Sequence, residues 1–168
     1  LDPETKTTED LFVATFPVTC AEYLEFLNDL CATGRADEAR LRQPRDGGSR
    51  GWREEGGRFR MPEGEEDRKL AWDPAWPVFS VNWFDAVAYA AWRSGREGIQ
   101  YRLLHDEEYE KAARGVDGRV YSFGDDYDGS YSHTNVSAPG RMTPMPVGSF
   151  PGDESPWGIR DLSGGIQT

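Results

Sequence analysis

The stretch PVFSVNWFDAVAYAAW, residues 77–92, decides how this chain is read. Pro77 has a fixed φ and opens a short extended run over residues 78–81. Asn82 can then offer its side-chain oxygen to the first amides of a helix. Asp85, three residues on, suits the positive end of the helix dipole. Val87, Ala88, Ala91 and Trp92 recur at helical spacing and are expected to form the buried face. Trp83 is expected in the core with Trp92, and Gly95 is expected to stop the helix. The small alanines predict close packing against a second element.

Two further helices flank this one. Upstream, residues 11–16, LFVATF, alternate and end at Pro17, which predicts a strand. Thr19 and Glu22 have capping-box spacing, and Tyr23, Leu24, Leu27, Leu30 and Cys31 make one apolar stripe. Gly34 is a fitting stop. Downstream, YRLLHDEEYEKAARG, residues 101–115, carries acids in its first turn and Lys111 and Arg114 in its last, which suits the dipole. Asp106 is the expected cap, with Tyr109, Ala112 and Ala113 facing inward. Residues 43–70 hold many Gly, Arg and Glu with little periodicity, so they are expected to be an insertion or long loop. Within them, GGRFRMPE could form a short strand. From Asp117 onward Gly, Asp, Ser, Asn and Pro dominate, which predicts irregular loops with short strands.

The chain has 168 residues and a net charge of −11. That length suits one domain over residues 1–168, with no repeat and no sign of a second. The acidic balance argues against a nucleic-acid partner. No run approaches about 18 apolar residues, which argues against a membrane-spanning helix. The opening LDPETKTTED lacks a basic n-region and an apolar h-region, so no secretion signal is visible; a cytoplasmic, reduced setting is expected from the cysteine usage. The locally basic residues 40–60 are read as a solvated loop.

There are two cysteines, Cys20 and Cys31. Both fall in one expected helix, about 16 Å apart along its axis. A disulfide needs Cα atoms within about 7 Å, so they cannot pair with each other. Both are read as small buried hydrophobes rather than reactive thiols. The histidines, His105 and His133, are read as structural or solvated. DDYDGSYSH, residues 125–133, lacks the terminal Glu of a calcium loop and is read as polar surface. Trp72, Trp76, Trp83, Trp92 and Trp157 are read as core and loop anchors. No P-loop, GxSxG elbow or HExxH motif is present.

Five segments in order resemble one known family: FPVTCAEYLEFLND, PVFSVNWFDAVAYAAW, YRLLHDEEYEKAARG, VYSFGDD and PVGSFPGDESPWGIRDLSGG. They are similar to the PVTNxEYxxF, PVxxVSWxDAxAYxxW, RLPTEAEWExAARG, YPWGD and PVGxxPxNxxGLYDMxGNVWEW patterns of formylglycine-generating-enzyme-like, or sulfatase-modifying-factor, domains. The resemblance implies an α+β, C-type-lectin-like fold, loop-rich, with short twisted sheets and about three helices. It also implies a C-terminal part beyond Thr168, where the family carries an RGGSW-type motif and its last core strands.

Function is a separate question from fold. The family includes copper-dependent oxidases that convert a protein cysteine to formylglycine, using thiols in that C-terminal part. Cys20 stands where the family pattern has Asn and does not match a catalytic position. Family calcium sites imply Asn135 and Val136 as candidate ligands, by side-chain oxygen and backbone carbonyl. No downstream carboxylate matches, and Gly165 replaces the Asn of a second site. Calcium is therefore the one cofactor the resemblance raises for this stretch. The departures from the enzyme pattern favour a non-catalytic ligand-binding or display domain. Two branches fit: variable proteins of diversity-generating retroelements and sensors linked to bacterial kinases. The expected partner is a protein or small-molecule ligand, with no nucleic acid and no membrane. The alternative is the copper-dependent oxidase, with its catalytic residues beyond Thr168.

Overall fold

The computed structural model describes residues 8–45, 51–62, 71–134, 137, 139 and 143–164. Among them the elements are α1 (Cys20–Ala32), α2 (Ala36–Arg42), β1 (Arg53–Glu55), β2 (Arg58–Arg60), α3 (Trp83–Glu97) and α4 (Asp106–Arg114). The described helices number four rather than three. The addition, α2, is too short to show a periodic stripe. Its dipole is matched by Asp37 and Glu38 at one end and Arg40 and Arg42 at the other. The residues form two compact units, each discontinuous in sequence.

One unit gathers residues among 18–103 and 143–147. Its core is built on α1, whose Cys20, Tyr23, Phe26, Leu27 and Leu30 are all buried. Ala39 of α2, Phe59 of β2, Tyr89 of α3 and Trp52 complete it. Aromatic rings carry much of the packing. Tyr23 stacks on Tyr89 at 5.7 Å, and Phe26 meets Trp92 at 5.4 Å. Burying rings of this size dominates the energetics of a small core.

The start of α1 shows how its orphan amides are satisfied. The Glu22 amide donates to the Thr19 hydroxyl, and the Thr19 amide donates to the Glu22 carboxylate, as the spacing predicts. The Cys20 and Ala21 amides donate to the carbonyls of Trp76 and Pro74 at 2.8 and 3.0 Å. Asn82 and Asp85 cap α3 in the same reciprocal way. Asn28 acts as a stand-in strand for β2, accepting from the Phe59 amide and donating to the Phe59 carbonyl. The β1–β2 hairpin turns at Gly56 and Gly57, both with positive φ. It places ordered structure inside the expected loop, and β2 overlaps the strand suggested for GGRFRMPE. Residues 46–50 and 63–70 of that interval lie outside the described residues.

Several details of α3 depart from expectation. Its buried residues are Asp85, Tyr89 and Ala90. Trp83 is 63% exposed, Phe84 is 70% exposed, and Val87 and Ala91 are also exposed. Ala88 and Trp92 pack against the core as expected, and Asp85 is buried beside them, within 3.4 Å of the Arg42 guanidinium. The helix runs past Gly95 to Glu97, and Gly98 with φ 70° ends it. A mid-helix glycine weakens a helix without stopping it.

The other unit gathers residues among 1–17, 104–142 and 148–167. The expected strand over residues 11–16 does not form, and Phe12 is fully exposed. Among the described residues its alternation finds no ladder partner; Thr15 accepts from the Arg160 amide. Helix α4 starts after His105, one residue before the expected cap, and the His105 amide donates to Glu108. Ala112 and Ala113 are buried as expected, whereas Tyr109 is exposed. Gly115 ends the helix with φ 70°, and a Cβ there would lie 2.8 Å from Pro156.

Candidate functional site

Beyond α4 the second unit is nearly all loop, so its backbone order depends on side chains. Asp153 is the anchor, buried to 1% exposure. It accepts from the Ser122 hydroxyl at 2.5 Å and from the Ser163 amide at 2.8 Å. The Ser163 hydroxyl lies 2.5 Å from that of Ser122 and accepts from the Ser122 amide. Three loop segments thus converge on one carboxylate. Hydrogen bonds to a charged acceptor in a dry site are the strong ones. Asp161 adds a second tie, accepting from the Gly148 amide at 2.7 Å. It sits at φ 60°, a left-handed position that Asp tolerates better than most residues. Burial pushes its carboxyl up from the usual range.

Above this base the loop over residues 120–134 presents aromatic side chains. Tyr121 and Gly124 exchange backbone bonds at 2.9 and 3.2 Å, closing a tight turn. Gly124 has φ 144°, which favours glycine. Within the turn Ser122 points inward to Asp153, while Tyr121 and Phe123 stack on each other at 5.2 Å. Tyr127 lies 5.6 Å from Tyr121, and Tyr131 lies 5.2 Å from Phe123. Tyr127 and Tyr131 are 57% and 43% exposed. Asp125, Asp126 and Asp128 are exposed in the same loop. Asp125 accepts from the Val120 amide, and Asp128 accepts from the Ser130 amide and hydroxyl. The Ser130 hydroxyl and amide hold the Asp128 carboxyl below its usual range.

The residues singled out in the sequence fall into three groups. Asn135, Val136 and Gly165 lie outside the described residues. Their described neighbours form a side-chain-braced turn: Ser137 donates to the Ser132 carbonyl at 2.6 Å and accepts from the Thr134 amide at 2.9 Å. His133 stacks on Phe150, and Trp157 is exposed while donating to the Lys111 carbonyl. The thiols do not fit a copper pair. Cys20 is fully buried with its Sγ toward the Pro77 carbonyl, and burial pushes its thiol up to about 12. Cys31 is partly buried on the same helix, and burial raises its thiol as well. A raised pKa lowers the thiolate fraction at neutral pH. Among the described residues no group of His, Cys, Asp and Glu is placed to hold a metal ion, and no helix is long and apolar enough to cross a membrane.

The sequence reading passed over the aromatic row. The signal was present: Tyr121, Phe123, Tyr127 and Tyr131 are interleaved with three aspartates. Irregular backbone offers no period by which such residues can be assigned to one face, so only the fold brings them together.

Comparison with known proteins gives the framework. The sulfatase-modifying factor enzyme 1-like domain matches over residues 2–168. A formylglycine-generating enzyme of Mycobacterium tuberculosis is 30% identical across 96% of this chain and 63% of its own length. Another from Streptomyces coelicolor is 35% identical across 56% of the chain and 32% of its own length. An inactive C-alpha-formylglycine-generating enzyme 2 from Bos taurus is 34% identical across 54% of the chain and 31% of its own length. The chain thus spans about a third to two thirds of the length of these relatives. On this evidence of ordered motifs, loop-rich α+β architecture and a match along the chain, the protein belongs to the formylglycine-generating-enzyme-like, sulfatase-modifying-factor family, with its C-type-lectin-like fold.

Proposed function

We propose that residues 1–168 form one domain whose role is non-catalytic binding or display of a ligand, in a retroelement variable protein or a kinase-linked sensor. The observation that carries this reading is the exposed aromatic and acidic loop over residues 120–134, held on the buried Asp153 base. Rigid scaffolds carrying variable loops are how such folds bind ligands. The departures of residues 101–115 and 155–168 from the enzyme's motif patterns support the same reading. So does likeness to a relative described as inactive. Calcium at Asn135 and Val136 belongs to this proposal as a loop-bracing ion, testable by calcium-dependent melting.

The second reading is a copper-dependent oxidase, with catalytic residues beyond Thr168. It is favoured by the match along 96% of the chain to a formylglycine-generating enzyme. Incubating the full-length protein with copper, oxygen and a cysteine-bearing peptide separates the two. The peptide mass should remain that of the thiol; appearance of the aldehyde would overturn the binding reading. Within that reading, a kinase domain in the same protein marks the sensor, and a neighbouring reverse transcriptase gene marks the variable protein.

A further inference from the structure

Resting on the binding reading above, we propose that the row Tyr127–Tyr121–Phe123–Tyr131, with its aspartates, receives a basic, arginine-bearing segment of a partner protein. The loop carries charge of one sign. Residues 120–134 contain Asp125, Asp126 and Asp128 and no Lys or Arg, in a chain of net charge −11. The cations nearest in sequence and in the same unit are already committed. Arg119 pairs with Asp117 at 2.6 Å and also feels the Asp125 charge, which leaves Asp126 and Asp128 to a partner, and Arg160 pairs with Glu154 at 2.6 Å. Asp126 is exposed with no partner among the described residues.

A cation is attracted to a ring face, and a guanidinium can stack there while its edge meets a carboxylate. The four rings form a chain with spacings of 5.2 to 5.6 Å. Their mutual angles, 7°, 52° and 88°, do not make one flat platform. They turn the exposed Tyr127 and Tyr131 in different directions, which suits successive side chains of an extended segment. The chain already contains this arrangement within itself: Arg93 lies 4.9 Å over Tyr101, and Glu97 accepts from both, at 2.8 and 2.5 Å. The Tyr131 ring lies against the Gly152 backbone, where a Cβ would come within 2.9 Å of it. Gly124 fixes the turn that stacks Tyr121 on Phe123. Rings held in place before binding lose little freedom on binding.

The test uses the full chain and a fluorescein-labelled, cysteine-free peptide of alternating Gly and Arg. Lys and Ser counterparts serve as controls, and binding is read by anisotropy at physiological ionic strength. The Arg peptide should bind more tightly than the Lys peptide, and the Ser peptide least. Tyr127→Leu should weaken the Arg peptide about three- to fivefold at unchanged net charge. Asp126→Asn and Gly152→Ala should each weaken it as well. Should Tyr127→Leu fail to fold, Asp126→Asn and Gly152→Ala decide. Three outcomes overturn the proposal: Arg-peptide affinity unmoved by the ring and Asp126 variants, equal affinity for the Ser peptide, or an equal loss from Asp37→Asn on α2. The first two leave no role for the rings or the charge, and the third is diffuse electrostatics. None bears on the aldehyde assay, so failure here and failure of the binding reading are separately visible.

Discussion

Trp83 and Phe26 show how far residue type is from residue role. Both are large aromatics at helical spacing, yet Phe26 is buried in the α1 core and Trp83 is exposed. Phe26→Ala should cost about 3–5 kcal/mol by loss of transfer energy and cavity formation. Trp83→Ala should cost no more than about 1 kcal/mol, because little apolar surface returns to water. Urea denaturation of both variants checks the contrast, and comparable losses would place Trp83 in the core after all. Cys20 gives a pH prediction. Its thiol is pushed up to about 12 by burial, from an ordinary value of 9.0. Above 9 the unfolded chain releases that proton while the folded chain keeps it, so stability falls as pH rises toward 12. Tyr23, also raised by burial, acts in the same direction. The urea midpoint should drop between pH 8 and 10.5, and Cys20→Ala should flatten that drop.

At the level of elements, the helix starts were the most legible features. Thr19 with Glu22 and Asn82 with Asp85 form reciprocal caps, and both pairs follow from local spacing alone. Thr19→Ala and Asn82→Ala should each cost about 1 kcal/mol in thermal or chemical denaturation. Helix faces were less legible. On α3 the pattern pointed to Val87, Ala88, Ala91 and Trp92; Ala88 and Trp92 pack against the core, whereas Val87 and Ala91 are exposed and Tyr89 and Ala90 are buried. Asp85 is buried on the same helix and meets Arg42, 43 residues away, a partner that no local pattern shows. The short α2 and the pairing of β2 with β1 escaped the reading for a related reason. Neither is long enough to show a period, and both are held by α1, through the Tyr23 hydroxyl on the Arg42 carbonyl and Asn28 on Phe59.

For the whole molecule, the two units are held by different means. One has an aromatic core around α1; the loop-rich one depends on buried side-chain hydrogen bonds. A unit of the second kind concentrates its stability in few groups. Asp153→Ala leaves the Ser122 hydroxyl and the Ser163 amide without their acceptor, and should cost about 3 kcal/mol or more. Amide exchange should then rise through residues 120–134 and 148–164 while the α1 amides stay protected. Uniform loss of protection would mean that the carboxylate is not a local anchor.

The sequence by itself determined the family, the helix starts and the loop-rich second half. These rest on local chemistry: caps, turn residues and short motifs in order act over a few positions and are visible wherever they occur. The tertiary structure alone decided which face α3 buries and that Tyr121, Phe123, Tyr127 and Tyr131 stand in one row on the loop that Ser122 ties to Asp153. Those outcomes depend on burial and on contacts between residues far apart in the chain. No local pattern encodes them, because in irregular backbone a side chain's direction is set by what it packs against.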